Sequence, residues 1–376
     1  MRKFPSVYMR GGTSKGLMFK KEDLPEDRSQ WDKIFLQCMG NPDPKQIDGL
    51  GGTVSSNNKI VIVSKSENPD IDVEYLVGQV IVGKEQVDFK SNCGNMTAAV
   101  APFAIEEGLV KTTDPVTYVK MLNLNTNKVI EISVPVKNGQ FLNDGDATIA
   151  GVDGTCSKLM VNFLDPAGAK TGVLLPTGNT TDFFDLGQGK VLEVSLCDVS
   201  NPMVMVRAED VGFTGTESPE EVNSNQEAMA LLEMIRGTAA VKMGFAKDLE
   251  DAKTNSPAVP KVGFFSKPAT FIDLSGKSIQ EQDMDILVRI ISVFKCHKAC
   301  PLTSASSISV LLKLKNTLLS KELGISKEKE VRIGHPSGIM TAEPHISENG
   351  DDIHVTGVAI LRTARRIMDG TVYIKE

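Results

Sequence analysis

The sequence predicts an α+β protein of two pseudo-symmetric domains, each a curled antiparallel or mixed sheet around one central helix. Three observations carry that expectation. The chain has 376 residues, room for two domains of ordinary size. Its two halves repeat the same order of apolar strands, turns and helices. Each half also holds one small-residue apolar stretch, SNCGNMTAAV near 93 and KACPLTSASSISVLL near 300, suited to a buried helix.

The elements follow in order. The first half opens with VYMR, the turn GGTSKG, LMFK and the acidic stop EDLP; the second opens with EVSLCDV, SNP and MVMVRAEDVG. A charged amphipathic helix comes next, at about 25–39 with Trp31, Ile34, Phe35 and Cys38 on one face, and at about 218–237. Each half then gives a strand led by lysine, Lys59-IVIV and Lys261-VGFF. In the first central helix Met96, Ala99, Val100, Phe103 and Ala104 share a face, Gly108 sits at the C-terminal cap, and Pro102 predicts a kink. Alternating strands close both halves. The Gly-, Pro- and Thr-rich stretch 165–190 reads as the join, which places the domains at 1–182 and 183–376, with the last strands free to cross back. In this arrangement the two helix starts face one cleft, whose paired positive ends suit an acid with two or more carboxylates.

Composition excludes several function classes. With 41% hydrophobic and 24% charged residues and a net charge of -7, acids and bases well mixed, the chain reads as a globular protein with no nucleic-acid surface. No apolar run reaches the roughly 18 residues of a membrane span, and the N-terminus breaks into Gly and charge before a signal core forms. The six cysteines, at 38, 93, 156, 197, 296 and 300, lack paired metal spacing; Cys296, His297 and Cys300 have no second cluster to complete a zinc site. No metal and a reducing cytoplasmic setting are expected.

The chemistry concentrates in Asn92-Cys93-Gly94-Asn95-Met96. A helix N-terminus favours the thiolate of a cysteine placed there, and its free N–H groups hold carboxylates. A lone cysteine is more often structural, but Gly94 and Asn95 at the helix start favour function. Lys59, at the edge of its strand, is a solvated end residue unless it turns into a cleft, where it becomes a usable base. Gly11-Gly12-Thr13-Ser14-Lys15-Gly16 lacks the frame of a phosphate loop and reads as a hairpin. Its hydroxyls at Thr13 and Ser14, with Arg10, could reach a carboxylate. Pro176–Asn179 and His335-Pro336-Ser337-Gly338 are further polar turns. There is no Ser-His-Asp frame and no dinucleotide fingerprint.

Seven ordered motifs spanning nearly the whole chain resemble the methylaconitate/methylitaconate isomerase (PrpF-type) family: MRGGTSKG, IDGLGG, NCGN, LPTGN, HKA, GHPSG and RTARRIM. The resemblance implies the diaminopimelate-epimerase-like fold, no cofactor, and a small unsaturated carboxylate as substrate, such as methylaconitate, methylitaconate, aconitate or oxalomesaconate. It puts the family's catalytic cysteine on Cys93 and its lysine on Lys59. Asn57 and Asn58 depart from the LTSK-like stretch of the family, which bears on which acid is accepted; Leu302-Thr303-Ser304-Ala305 departs from an LTGA-like turn. The second cysteine of the epimerase cousins aligns near Pro301, so Cys300, one residue off, reads as structural.

The expected function is therefore a cofactor-independent isomerase that moves a double bond, or its geometry, by proton transfer through Cys93 and Lys59. The acid is expected to be held by Arg10, Thr13, Ser14, Asn58, Asn92, Gly94, Asn95, Met96, Thr303, Ser304, His335, Ser337 and Gly338. The partner is a small carboxylate; a homo-oligomer is left open. The rivals are a two-base amino-acid racemase or epimerase on the same fold, a non-enzymatic accessory to an aconitase-like enzyme, and a carboxylate-binding module.

Overall fold

The computed structural model describes residues 1–89, 93–187, 189–325, 328–349 and 352–375. The chain forms two compact units, residues 1–162 with 361–376, and residues 163–360.

In the first unit, strands β1 (Arg2–Gly11) and β2 (Ser14–Lys20) make the expected hairpin, with Gly11 opposite Ser14. Helix α1 (Trp31–Met39) follows, then β3 (Lys59–Lys65) and β4 (Val73–Val80). Helix α2 (Gly94–Glu106) leads to β5 (Val116–Asn123) and β6 (Lys128–Lys137). Successive pairings run antiparallel, parallel, antiparallel, parallel, antiparallel from β1 to β6. The C-terminal strand, Ala364–Ile374, returns to pair antiparallel with β1.

The second unit repeats this scheme. The strands that match those of the first unit are β7 (Val191–Val199), β8 (Asn201–Arg207), β9 (Lys261–Ser266), β10 (Ile286–Ser292), β11 (Val331–His335) and β12 (Gly338–Asn349). The same alternation of pairings runs from β7 to β12. Helix α3 (Gln226–Lys242) takes the place of α1, and α4 (Leu302–Lys313) the place of α2. The lysine-led strands even share their register: Gly16 pairs with Lys59, and Met203 with Lys261.

The outer helices behave as amphipathic helices should. Trp31, Ile34, Phe35 and Cys38 of α1 pack on Leu17, Phe19, Ile60, Ile62, Leu76 and Val80. The central helices do not. Every residue of α2 from Met96 to Ile105 is buried, so the single-face reading of its apolar positions undercounts. Its alanines at 98, 99, 101 and 104 keep the helix thin enough to be enclosed. The helix runs through Pro102, and Gly108, at φ 67°, follows its C-terminal cap residue Glu107.

The break between the units falls at 162/163, not at the expected 182/183. Residues 163–182 are tied into the second unit through Asp198. Its main chain accepts from Gly168 N–H (2.8 Å) and donates to Leu174 C=O (2.9 Å). Its buried carboxylate accepts from the N–H groups of Lys170 and Thr171 (2.7 Å each) and the Thr171 hydroxyl (2.9 Å). Leu174 and Leu175 pack on the α4 core. A stretch that looks like a linker by composition is thus held by one buried anion. Asp198→Ala should lower unfolding free energy by roughly 2–4 kcal/mol in urea titrations, since three charge-assisted bonds are lost. Asp198→Asn, which keeps one acceptor, should lose less. Equal stability of both variants with the parent would refute this account.

Candidate active site

Cys93 is the N-cap residue of α2, in extended conformation (φ -118°, ψ 97°). Its carbonyl accepts from both the N–H (3.1 Å) and hydroxyl (3.2 Å) of Thr97, while its own side chain makes no capping bond. The thiol is half-buried and lies 3.9 Å from the Ser14 hydroxyl. The β1–β2 hairpin packs directly on this helix start. Asn95 Nδ2 donates to Thr13 Oγ1 (3.0 Å). Gly12 has φ 51°, and a β-carbon on it would lie 2.4 Å from Asn95 Oδ1, so both the turn and the contact require glycine.

Lys59 reaches the same place from the sheet. Tyr75 Oη meets Thr97 Oγ1 of α2 at 3.0 Å, so the odd-numbered residues of β4 face the central helix. Gln79 shares that face and is the cross-strand partner of Lys59, whose ammonium donates to Gln79 Oε1. The Gln79 amide is oriented by donating to Ser55 C=O (3.2 Å), Asn58 C=O (3.1 Å) and Val80 C=O (2.9 Å). On β2, Leu17 and Phe19 face α1, so Ser14 and Gly16 face α2. Lys59 therefore lies beside Gly16 on the face that carries Ser14 and, through it, Cys93. The two positions are about two residues, roughly 7 Å, apart along β2. Ammonium, thiol and the free N–H groups of Gly94, Asn95 and Met96, which meet no acceptor among the described residues, share one end of α2.

Other expected residues do different work. Arg10 Nη1 donates to Gly12 C=O (2.9 Å) and to the carbonyl and hydroxyl of Thr363 (3.1 and 3.0 Å), and Nη2 lies 3.1 Å from Cys156 Sγ. It braces the hairpin instead of presenting an open fork. Asn58 is fully buried, and its amide is taken up by Gln46 Nε2, Gly52 C=O and Val54 C=O. It shapes the loop before Lys59. The Met96 side chain is core, leaving only its N–H at the site. Asn92 lies outside the described residues. Thr177 and Asn179 bond Asp182 (2.6 and 3.2 Å), so the LPTGN turn already holds an anion of the chain itself.

In the second unit, α4 starts at Leu302 with Pro301 as N-cap, and no side chain caps it. Thr303 Oγ1 lies 3.5 Å from Lys261 Nζ. Ser304 is 2% exposed, and its hydroxyl has no partner among the described residues. His335 and Gly338 close the β11–β12 hairpin; Ser337 N–H donates to His335 Nδ1 (3.2 Å), and its hydroxyl donates to Lys298 C=O, tying this turn to the lead-in of α4. Cys300 is buried, one residue before the N-cap. Burial lowers the Lys261 ammonium from its usual value, with Cys300 acting the other way, and desolvation likewise lowers His297. Lys261 and Gln79 are not among the residues that the sequence reading puts at the site. The repeat itself signals Lys261, because Lys59-IVIV and Lys261-VGFF occupy matching places.

Two units that each enclose a helix in a mixed, curled sheet define the α+β architecture of the diaminopimelate-epimerase type. The chain belongs to the PrpF family: the family model described as PrpF protein matches residues 1–375. It is 39% identical to the 3-methylitaconate isomerase of Eubacterium barkeri over 376 residues, spanning 100% of this chain and 98% of the relative. It is 36% identical to the 2-methyl-aconitate isomerase of Cupriavidus necator over 385 residues, spanning 99% and 97%. The crystal structure of methylitaconate-delta-isomerase superposes with a TM-score of 0.89 at 39% identity, covering 99% of this chain and 96% of that one. The chain is an enzyme of the isomerase class. No helix among the described residues is long and apolar enough to cross a membrane.

The geometry sorts the thiols. Burial pushes Cys38 and Cys197 up to about 12 and Cys296 up to about 11, and Cys300 is closed off. Cys93 and Cys156 are half-buried. Iodoacetamide at pH 8 should therefore alkylate Cys93 and Cys156 in the native protein well before the other four, read by peptide mass mapping. Labelling of Cys38 or Cys197 at the rate of Cys93 would contradict this ordering.

Proposed function

We propose that the protein is a cofactor-independent isomerase that moves a double bond, or its cis/trans geometry, in a small unsaturated di- or tricarboxylate of the methylaconitate or methylitaconate kind. One observation carries the reading: Lys59 and Cys93 share the face and the end at which the enclosed helix α2 offers uncapped N–H groups. An anion held there sits between an amine and a thiol.

In this mechanism one member of the pair removes a proton from the carbon next to the C=C–carboxylate system. The electron pair left on carbon delocalises into a dienolate. Its carboxylate oxygens are stabilised by the N–H groups of residues 94–96, with the Ser14 and Thr13 hydroxyls alongside. The other member, or the same one, returns a proton to a different carbon, so the bond has moved or has been free to rotate. Arg10 and Asn58 act by holding the hairpin and the loop before Lys59, and His335, Ser337 and Gly338 by fixing the turn beside Lys298. Six free thiols fit a reducing cytoplasm.

A two-base racemase is less well supported, because Cys300 is buried and precedes the α4 N-cap, unlike Cys93. The test is incubation with methylaconitate, methylitaconate or trans-aconitate in heavy water. The parent enzyme should exchange deuterium into the acid while isomerising it. Cys93→Ser and Lys59→Gln should each lower turnover by roughly 10²–10⁴, the usual worth of a general acid–base group, with unchanged circular dichroism. Near-normal turnover by either variant would remove that residue from the mechanism. Proline or glutamate labelled at Cα in place of an unsaturated acid would establish the racemase instead.

A further inference from the structure

Two strands of the repeat open with a lysine, and among the described residues only one of these lysines is met by a side-chain amide. Lys261 of β9 has Thr303 Oγ1 at 3.5 Å. Val262 and Phe264 pack in the α3 core, so alternation puts Lys261 on the α4 side of its strand. The register of β9 with β10, Val262 opposite Ile291, sets it level with Ser292, which makes no bond to it among the described residues. Lys59 instead stands directly across from Gln79 of β4 and donates to its Oε1. No carboxylate among the described residues pairs with Lys59. The repeat by itself therefore calls for a lysine at the head of the strand, and the amide is an addition made in one unit.

The Gln79 amide has one orientation. Its Nε2 donates toward the carbonyls of Ser55 (3.2 Å), Asn58 (3.1 Å) and Val80 (2.9 Å). Turning the amide over would set an oxygen against three oxygens and an NH2 group against an ammonium, so both ends would lose their bonds. The carbonyls are themselves held. Asn58 C=O also accepts from Val80 N–H (3.0 Å), and the fully buried Asn58 side chain accepts from Gln46 Nε2 and donates to Gly52 C=O and Val54 C=O. Gln46, 2% exposed, donates to Asn41 Oδ1 as well. Asn41 Nδ2 in turn donates to Ile81 C=O (2.6 Å) and Lys84 C=O (2.8 Å), in the turn after β4. Four side-chain amides thus clamp the loop before β3 to the end of β4, and the last of them meets the Lys59 ammonium. A neutral acceptor fixes that nitrogen without binding its charge, whereas a carboxylate in its place would favour the charged form.

Resting on the isomerase reading above, we infer that Gln79 is a positioning residue for Lys59. The amide belt of Asn41, Gln46 and Asn58 behind it fixes the lysine nitrogen at one point, and the neutrality of the amide leaves that nitrogen able to give up and regain a proton. Gln79 acts through the lysine and not on the acid.

Two variants push Lys59 in opposite directions. Gln79→Glu puts an anion beside the ammonium, and Gln79→Leu takes the acceptor away. Acetic anhydride acylates the uncharged amine, so competitive labelling of the full chain at pH 8, read by peptide mass mapping, follows the uncharged fraction of each lysine. Lys59 should label roughly 10-fold more slowly in Gln79→Glu and several-fold faster in Gln79→Leu, on the scale of one hydrogen bond to a charged group, while Lys261 labels at the parent rate in both. With methylitaconate or methylaconitate, each variant should lower kcat by about 10-fold or more and leave KM within about threefold. Unchanged labelling of Lys59 in both variants would overturn the inference, and so would an unchanged kcat. Equal changes at Lys59 and Lys261 would also overturn it, reducing Gln79 to a residue of the fold. Labelling needs no substrate. If the parent exchanges no deuterium into any unsaturated acid, the isomerase reading fails, while the labelling still decides whether Gln79 sets the state of Lys59.

Discussion

The governing constraint is the enclosure of a helix on all sides. A helix always begins with N–H groups that have no partner within it, and burying them unsatisfied is costly. In α2 ten consecutive residues, Met96 to Ile105, are buried, so sheet covers the whole flank and only the start is left for those groups to find an acceptor. Neither central helix solves the problem with its own side chain: Cys93 makes no capping bond and Pro301 cannot. Elsewhere the chain caps helices with Ser, Asn, Asp and Thr in the ordinary way. Helix α1 likewise starts without a side-chain cap, at Gln30, so what sets α2 and α4 apart is that their uncapped starts belong to enclosed helices. An anionic ligand that supplies the missing acceptors gains contacts that no rearrangement of the protein has to provide.

Strand register then decides which side chains meet that ligand. The parallel step from β2 to β3 puts Lys59 beside Gly16, and the corresponding step from β8 to β9 puts Lys261 beside Met203. Both lysines thus open a strand whose next residues are core. At Gly16 the pairing is close enough that a β-carbon would lie 2.0 Å from the Lys59 carbonyl, so that position admits only glycine. The repeat has diverged at the thiol. In the first unit cysteine is the N-cap itself and half-buried; in the second it is displaced one residue upstream and buried behind proline. One unit keeps its lysine near a half-buried thiol at the helix start; the other keeps its lysine beside Thr303, with its thiol buried. A symmetric fold has in this way been given two unequal tasks.

What the sequence made legible was local or repeated. The hairpin of GGTSKG, the amphipathic face of α1, the lysine-led strands and the helix start at Cys93 all follow from residues within a few positions of one another. The parts that were not legible depend on distant partners. Arg10 looks like an open anion ligand until Thr363, 353 residues away, takes up its guanidinium. Asn58 looks like a substrate contact until Gln46 and the glycines of the IDGLGG loop enclose it. The stretch 165–190 reads as a join because its composition is turn-like, and only its bonds to the buried Asp198 show that residues 168–174 are packed. Lys261 was visible as a strand residue, but a lysine at a strand edge is ordinarily solvated. The register of the repeat is what places it on the α4 side of its sheet.

Charge gives the last step. A protein of net charge -7 repels a polycarboxylate at long range, so binding cannot depend on the field of the whole molecule. It must come from short-range donors in places where water and salt screen poorly. Half-buried ammonium groups and backbone N–H groups at helix starts meet that requirement, and Lys59 and the start of α2 present them in the first unit. The same economy accounts for Gln79. A carboxylate opposite Lys59 would compete with the substrate for the ammonium, whereas a neutral amide, fixed by three backbone carbonyls, orients the lysine and leaves its charge for the acid. Neutral positioning around a single positive charge keeps that charge free for an anion, as the proposed proton transfer requires.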